Sequence, residues 1–357
     1  MKKIFSVVCI MMLMVFLSAC QKPKMSEFSY FYMDTEITIF VYTTGKKQEK
    51  EIYQSIDEIY GKYHELTNNY APLSTNAPYL ENLYSINQKI NQKLQIDKEL
   101  YDIFVKADEI KTLTDGYFDI SVGKIVKVWK ELILDPNYIF KEAPKEIFDL
   151  VVDAVETIDV VENPFILSVE NNKYYIEITD DDVMLDLGAF AKGYATQIVY
   201  DYLRSIDREY FSISAGSSSL SIGKNKNRET GLFHTSLANP IREQNNQRTY
   251  GMIYVNDMAI NTSGNYEQYT NYQGLRYHHV VSPKTKTPMQ YYHTVTILGQ
   301  DAGLLDALST ALFSMPPNVF EAFINAYQET YQLEIIRFNY DGSITTYLTN
   351  TDFEDLR

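Results

Sequence analysis

The chain has 357 residues, a length that fits one large domain or two smaller ones. Hydrophobic residues make up 45%, enough for an ordinary globular core, which excludes global disorder. The formal charge of −15 repels nucleic acid, whose recognition rests on basic patches, so no nucleic-acid partner is expected.

Lys2 and Lys3 precede an apolar run from Ile4 to Leu17, which leads into Leu17-Ser18-Ala19-Cys20. A basic start, a short apolar segment and small residues before a cut site read as a secretion signal. The run is shorter than the roughly 20 apolar residues that span a bilayer. The tetrapeptide ending in Cys20 resembles the lipobox of bacterial lipoproteins; an uncleaved signal anchor or an ordinary secreted protein is the alternative. The lipobox resemblance implies removal of residues 1–19, a diacylglyceryl group on Cys20, and a protein anchored to the cell membrane on its extracytoplasmic side. Cys9 would leave with the signal and Cys20 would carry lipid. The mature body then has no thiol, which excludes disulfides, thiolate zinc sites and Cys nucleophiles.

Residues 20–27 are polar and short, as expected of a lipidated tether. A single domain is expected over 28–357, since no linker, low-complexity tract or repeat interrupts it. Thr35 to Tyr42 alternates and is β-branched, which predicts a strand. Lys46 to Leu66 and Lys98 to Leu113 predict helices. Val183 to Leu187 is a short apolar run ended by Gly188, followed by a helical stripe of Ala191, Ala195, Ile198 and Tyr202. Tyr250 to Val255 and Thr294 to Leu298 predict strands, and Leu305, Leu308, Ala311 and Leu312 mark another helix. Strands and helices mix without strict βαβ alternation, which predicts an α+β fold. The 30 tyrosines suit half-wet strands and ring-stacking surfaces alike.

Four stretches could carry chemistry. Thr114 to Gly123 (TDGYFDISVG) packs turn residues around two aromatics, and Gly123 lets a backbone approach closely. Leu185 to Tyr194 (LDLGAFAKGY) reads as strand, glycine turn and helix start. The N–H groups of a helix N-terminus favour anions, and Lys192 adds positive charge, so a phosphate-bearing ligand would fit. It is not a P-loop, because G-x-x-x-x-G-K-[ST] is absent. Asn261 to Tyr266 is followed by Tyr277 to Pro288, which holds His278 and His279 beside a polar, proline-containing loop; a histidine there suits a base near neutral pH. Asp306 and Thr310 share a helical face, and a carboxylate with a hydroxyl suits Mg²⁺. Taken singly, each has a structural reading: turn, cap, buried His, polar helix face.

Taken in order, these stretches resemble the ApbE-type FAD:protein FMN transferase family over nearly the whole mature chain. The blocks that carry the resemblance are Met33-Asp34-Thr35, Thr114 to Asp119, Leu185 to Tyr194, Thr262 to Tyr266, His279 to Pro288, and Asp306 to Thr310. The resemblance implies an α+β, T-fold-related domain. It implies that Met33, Tyr70, Tyr117, Phe118, Asp119, Asp186, Lys192 and Val280 line FAD. It implies that the backbone oxygen of Ala189, with Asp306 and Thr310, holds Mg²⁺ against the pyrophosphate, and that His279 takes the proton of the acceptor hydroxyl. The implied reaction moves FMN from FAD to a Ser or Thr of an exported or membrane redox protein and releases AMP. Two rivals use the same residues: an Mg²⁺-dependent hydrolase giving FMN and AMP, and a flavin-binding lipoprotein without activity. The chain departs from the family pattern at Asp34 and Lys286, where the family has Gly, at Ser214 to Ser218 in place of Asn-x-Gly-Gly-Asp, and at Ser282 in place of Asp.

Overall fold

The computed structural model describes residues 22–241 and 246–357. Cys20 and the expected signal at 1–19 lie outside the described residues. Among the described residues no helix is long and apolar enough to cross a membrane.

In chain order, strands β1 (Lys24–Tyr32) and β2 (Thr35–Thr43) lead into helices α1 (Lys46–Thr67) and α2 (Leu83–Asn87), strand β3 (Leu94–Ile96), and helices α3 (Lys98–Leu113), α4 (Gly123–Ile133) and α5 (Lys145–Glu156). Strands β4 (Phe165–Glu170) and β5 (Lys173–Ile178) precede helix α6 (Ala191–Ser205). Then come β6 (Phe211–Ala215), β7 (Ser219–Ile222), β8 (Phe233–Ala238), β9 (Thr249–Val255), β10 (Met258–Gly264), β11 (Tyr269–Tyr272), β12 (Leu275–His278) and β13 (Tyr292–Gly299). Helices α7 (Ala302–Ser314) and α8 (Pro317–Tyr331) and strands β14 (Glu334–Asn339), β15 (Ile344–Tyr347) and β16 (Asp352–Asp355) complete the chain.

The first hairpin shows how the sequence sets the sheet. β1 and β2 alternate buried and exposed residues and pair antiparallel from Lys24↔Thr43 to Tyr32↔Thr35. The two connecting residues, Met33 and Asp34, have φ of 53° and 55°. A type I′ turn needs positive φ at both places, and Asp is among the few residues besides Gly that accept it. Asp34 therefore keeps the turn where the family pattern has glycine. The expected tether over 20–27 is corrected here. Residues 24–27 are strand, paired with residues 40–43, and the Ser26 hydroxyl meets Thr43 Oγ1 at 2.8 Å. This stretch looked like linker because its buried positions are small or polar.

Eight strands form one antiparallel sheet in the order β1-β2-β6-β7-β10-β13-β14-β15. Side chains of α1, α3, α6 and α7 share a core with one face of it, through residues such as Ile56, Phe104, Val199 and Leu308 against Ile39, Ile213 and Ile297. On the opposite face, the three-stranded sheet β16-β9-β8 packs Tyr250, Ile253 and Val255 against Ile222, Leu298 and Phe338. β13 is covered from both sides, so all of its 8 residues are buried and its sequence does not alternate. Helices segregated on an antiparallel sheet make the fold α+β, as expected.

The expected strand at the start of Leu185 to Tyr194 is corrected. Residues 185–187 run extended without joining a ladder; one parallel bridge pairs Val122 with Met184, and Asp186 N–H donates to the Ile120 carbonyl at 2.7 Å. The partner segment turns at once into α4, so no ladder can grow. Gly123 makes that turn possible, because a Cβ there would stand 2.5 Å from the Met184 carbonyl oxygen.

A satellite core joins α4 and α5 to the β11–β12 hairpin. Trp129 is fully buried, stacks on Tyr277 with centroids 5.6 Å apart, and donates its indole N–H to the Lys286 carbonyl at 2.7 Å. Phe148 stacks on Tyr272 at 3.9 Å. This cluster fixes the hairpin from which His279 emerges. Trp129→Ala should cost about 3–5 kcal/mol, the usual loss for truncating a buried large aromatic. Far-UV circular dichroism in urea is the readout, since Trp129 is the chain's single tryptophan. A loss below about 1 kcal/mol would show that the cluster does not hold the hairpin.

Candidate active site

The site is built around Asp306 on α7. Its carboxylate accepts the Gly193 N–H at 2.8 Å, Lys192 Nζ at 3.2 Å and Asn261 Nδ2 at 3.2 Å. The first turn of α6 has no side-chain cap of its own from Phe190, so Asp306 caps it from the neighbouring helix. The two helices lie so close that a Cβ on Gly193 would be 2.4 Å from the Ala302 carbonyl oxygen.

A cavity of ≈ 240 Å³ opens in front of this junction. Tyr117, Phe118, Asp119, Asp186, Ala189, Lys192, His279, Val280, Asp306 and Thr310 all line it, so the structure unites nearly every residue expected at the site. Met33 and Tyr70 line an adjoining hollow of ≈ 300 Å³ instead, and Lys130, Asp186, Gly188 and Lys192 border both. The Met33 N–H donates to His64 Nδ1 at 3.2 Å, which ties this rim to α1, while Tyr70 is 71% exposed. The composite site is thus two lobes meeting at a pair of lysines.

Each acid at the site is held. Asp119 pairs with Lys111 at 2.8 Å and accepts the Ser121 N–H at 2.8 Å. Asp186 accepts the Gly188 N–H at 2.7 Å and faces Lys130 Nζ at 3.8 Å. Asn87 clamps the backbone of Leu185 from both sides, donating at 2.9 Å and accepting at 2.8 Å. Lys130, Lys111 and Asn87 were not singled out from sequence. Lys130 belongs to an ordinary amphipathic helix, and only the bridge of residues 120–122 to Met184 turns it toward the cavity.

The two adjacent histidines have opposite fates. His278 is buried, its Nε2 bonded to the Met289 carbonyl at 2.8 Å, while Nδ1 accepts the Val280 N–H at 3.3 Å. Both nitrogens are committed, and burial pushes its pKa down to about 3. His279 lines the cavity, and its Nδ1 has no hydrogen-bond partner among the described residues. Burial first, then the charge of Lys130, hold it below the ordinary His range; a hydrogen bond to the Gln268 backbone and the charge of Glu267 pull the other way, and Lys192 adds to the lowering. A neutral imidazole in the wall of the cavity is a competent base.

A larger hollow of ≈ 340 Å³ lies behind α6, rimmed by Asp102, Glu109, Asp201 and Asp301. Its carboxylates would repel a phosphate, and none of the residues expected at the site lines it.

A model of the ApbE family matches residues 33–335. The chain belongs to the ApbE family. It is 25% identical over 305 residues to a protein named FAD:protein FMN transferase from Vibrio cholerae, covering 85% of each chain. It is 24% identical over 322 residues to a Haemophilus influenzae protein of the same name, covering 88% of this chain and 87% of the other. Among solved structures, the ApbE protein of Thermotoga maritima superposes with a TM-score of 0.71 at 24% identity, over 90% of this chain and 97% of that one. The flavin transferase ApbE of Vibrio cholerae gives 0.69 at 20% identity, over 92% and 98%. At these identities the two structures establish the fold.

The side chains present fit a hard divalent cation. Asp306 offers carboxylate oxygens and Thr310 a hydroxyl one turn further along α7, and both face the cavity with Ala189. Asn261 points its nitrogen at Asp306 and leaves its buried Oδ1 without a partner among the described residues. An oxygen-rich set with one carboxylate matches Mg²⁺, which keeps water or phosphate for its other positions.

The ordering of charges around His279 has a pH signature. A base must be neutral, so kcat/KM should fall as pH drops through the His279 pKa, below the ordinary value of about 6.5. Lys130→Met removes a cation that disfavours imidazolium and should move this acid limb to higher pH. His279→Ala should abolish the limb and cost 10²–10⁴-fold, about what a general base contributes, while flavin binding persists. His278→Ala should show its main loss in stability instead. An acid limb that stays put in Lys130→Met would remove His279 as its source.

Proposed function

We propose that this chain transfers FMN from FAD to a Ser or Thr hydroxyl of an exported or membrane redox protein, releasing AMP, with Mg²⁺ bound at Asp306, Thr310 and the Ala189 carbonyl. The observation that carries this reading is a single cavity lined by His279, Lys192, Thr310 and Asp306, the last of which caps a helix N-terminus. The names of the sequence relatives, FAD:protein FMN transferase, support the same reaction.

The chemistry follows from the side chains. Lys130 and Lys192 border both lobes, and so suit the pyrophosphate of FAD, with one end of the dinucleotide in each lobe. The N-terminus of α6 adds its partial positive charge. His279 accepts the hydroxyl proton of the acceptor as the oxygen bonds to the FMN phosphorus. The bond from that phosphorus to the bridging oxygen breaks, and AMP leaves with the electron pair. His279 then returns its proton to solvent or to the departing phosphate. When bound, Mg²⁺ supplies positive charge against the two phosphates. Positioning and charge stabilisation dominate such transfers.

Water in place of the acceptor hydroxyl would make the same site a pyrophosphatase. Asp306→Ala, or EDTA on the wild type, should abolish FMN transfer while FAD still binds, since most lining residues remain. Mg²⁺ should restore the chelated wild type and not the variant. With acceptor withheld, FAD should stay largely intact; rapid release of FMN and AMP would replace the transferase with a hydrolase. FAD that stays intact under every condition, with binding indifferent to Mg²⁺, would leave a flavin-binding protein.

We also place the protein on the membrane through lipid at Cys20. Cys20→Ala should move it out of the membrane fraction or leave an unprocessed precursor. Unchanged fractionation and size in the variant would defeat the anchor.

A further inference from the structure

On the other side of Ser218 and Thr262, which line the main cavity too, lies a second pocket of ≈ 200 Å³. Its walls are the β6–β7 turn and strand β8, and Tyr250 and Thr294 reach into it from β9 and β13. Three of its hydroxyls, Ser219, Tyr250 and Thr294, are buried, exposed by 2%, 1% and 1%, and that of Ser219 has no hydrogen-bond partner among the described residues. The Thr294 and Thr296 hydroxyls lie beside the Tyr250 phenol and hydrogen-bond it weakly enough that burial still raises its pKa, and Thr296 also meets Thr262 at 2.9 Å. An unmade bond at a buried hydroxyl is costly, so the unpartnered Ser219 beside the weakly bonded Tyr250 and Thr294 suits a ligand that offers hydrogen bonds to them.

The chemistry of that ligand can be read from the walls. No charged side chain lines the pocket, so nothing there attracts a phosphate. The two lobes flanking Lys130 and Lys192 already provide for both ends of a dinucleotide. What remains unaccommodated is the second substrate. β8 is the edge of its sheet, bonded only to β9. An edge strand presents backbone N–H and C=O groups to any extended chain beside it, and pockets next to such an edge read alternate side chains. Ser217, at the same turn, is hydrogen-bonded to Glu267, which lines the main cavity, so the pocket wall and the reaction site are tied together.

We propose that this pocket reads the acceptor protein: an extended, uncharged segment lies along β8 and places a small hydroxyl or amide side chain among Ser219, Tyr250 and Thr294, next to the residue that receives FMN. The proposal rests on the transferase reading. It assigns acceptor choice to β8 and the β6–β7 turn, apart from the residues that hold FAD. The departure from Asn-x-Gly-Gly-Asp at Ser214 to Ser218 falls on this wall, so this chain's acceptor would differ from those of relatives carrying that motif.

The test uses the full-length protein, FAD, Mg²⁺ and a library of octapeptides with one central Thr and randomised flanks, read by mass for added FMN. Two variants accompany the wild type. Tyr250→Phe removes a buried pocket hydroxyl with little change of volume, and Ser236→Trp fills the pocket from an exposed position. Modified peptides should be enriched in Ser, Thr, Asn, Gly and Ala at one fixed offset from the target and depleted of charge there. Tyr250→Phe should raise the KM for the best peptide about tenfold, near the worth of one hydrogen bond at 1.4 kcal/mol per decade. Ser236→Trp should raise it further, and the FAD affinity of both variants, by flavin fluorescence, should match wild type. Wild-type KM and flanking preference in both variants would overturn the pocket assignment while leaving the transferase standing. Transfer to no peptide would overturn the reading of an extended segment. FMN and AMP released without transfer would instead sink the transferase reading itself.

Discussion

The contact between α6 and α7 at Gly193 governs the site. A glycine there lets the helices approach until the Asp306 carboxylate meets the Gly193 N–H at 2.8 Å. Any side chain would have to displace the Ala302 carbonyl, Asp306 itself, or both. The same carboxylate draws in Lys192 and Asn261, so one acid links two helices and strand β10. Overpacking a tight contact typically costs 1–3 kcal/mol. Here the displacement would fall on the group best suited to hold a cation, so the contact is a constraint on chemistry as well as on packing.

In a chain with a formal charge of −15, two lysines stand among the carboxylates Asp119, Asp186, Glu267 and Asp306 at the main cavity. Lys130 and Lys192 border both lobes, and Asp186 and Asp306 hold their ammonium groups in place. These pairs are partly buried, so salt screens them less than surface pairs. The acidic rim behind α6 does the converse, turning anions away from the larger hollow.

Much of this was legible in the chain. The helices at 46–66, 98–113 and around Leu305 to Leu312 were readable because one face packs on a sheet and the other meets water or a second layer. The composite of Leu185 to Tyr194 with Asp306 was readable only through resemblance, since no local pattern relates residues 113 positions apart. The tether was misread because the first buried position of β1 is a serine, Ser26, which hides by bonding Thr43. The strand expected at 185–187 was misread because an apolar run looks alike whether or not a ladder forms beside it. Lys130 was invisible because a lysine on an amphipathic helix is, in isolation, a solvated one.

The departures from the family pattern show how function tolerates a changed sequence. Asp34 and Lys286 replace glycines, yet both keep positive φ, at 55° and 59°. For Asp34 the side chain itself tolerates the conformation. Lys286 has no such help, and the left-handed region costs a non-glycine residue roughly 1–2 kcal/mol. Its surroundings supply the compensation: the carbonyl accepts the Trp129 indole, Nζ reaches the Ile158 carbonyl at 2.7 Å, and its own N–H donates to the Ser282 carbonyl at 2.8 Å. Bonds from α4, the end of α5 and the loop itself over-determine one residue, so the turn after His279 keeps its shape without glycine. The strain is therefore borne by the satellite core and not by the cavity. His279 can thus line one cavity with Asp306 while the loop sequence beyond it changes.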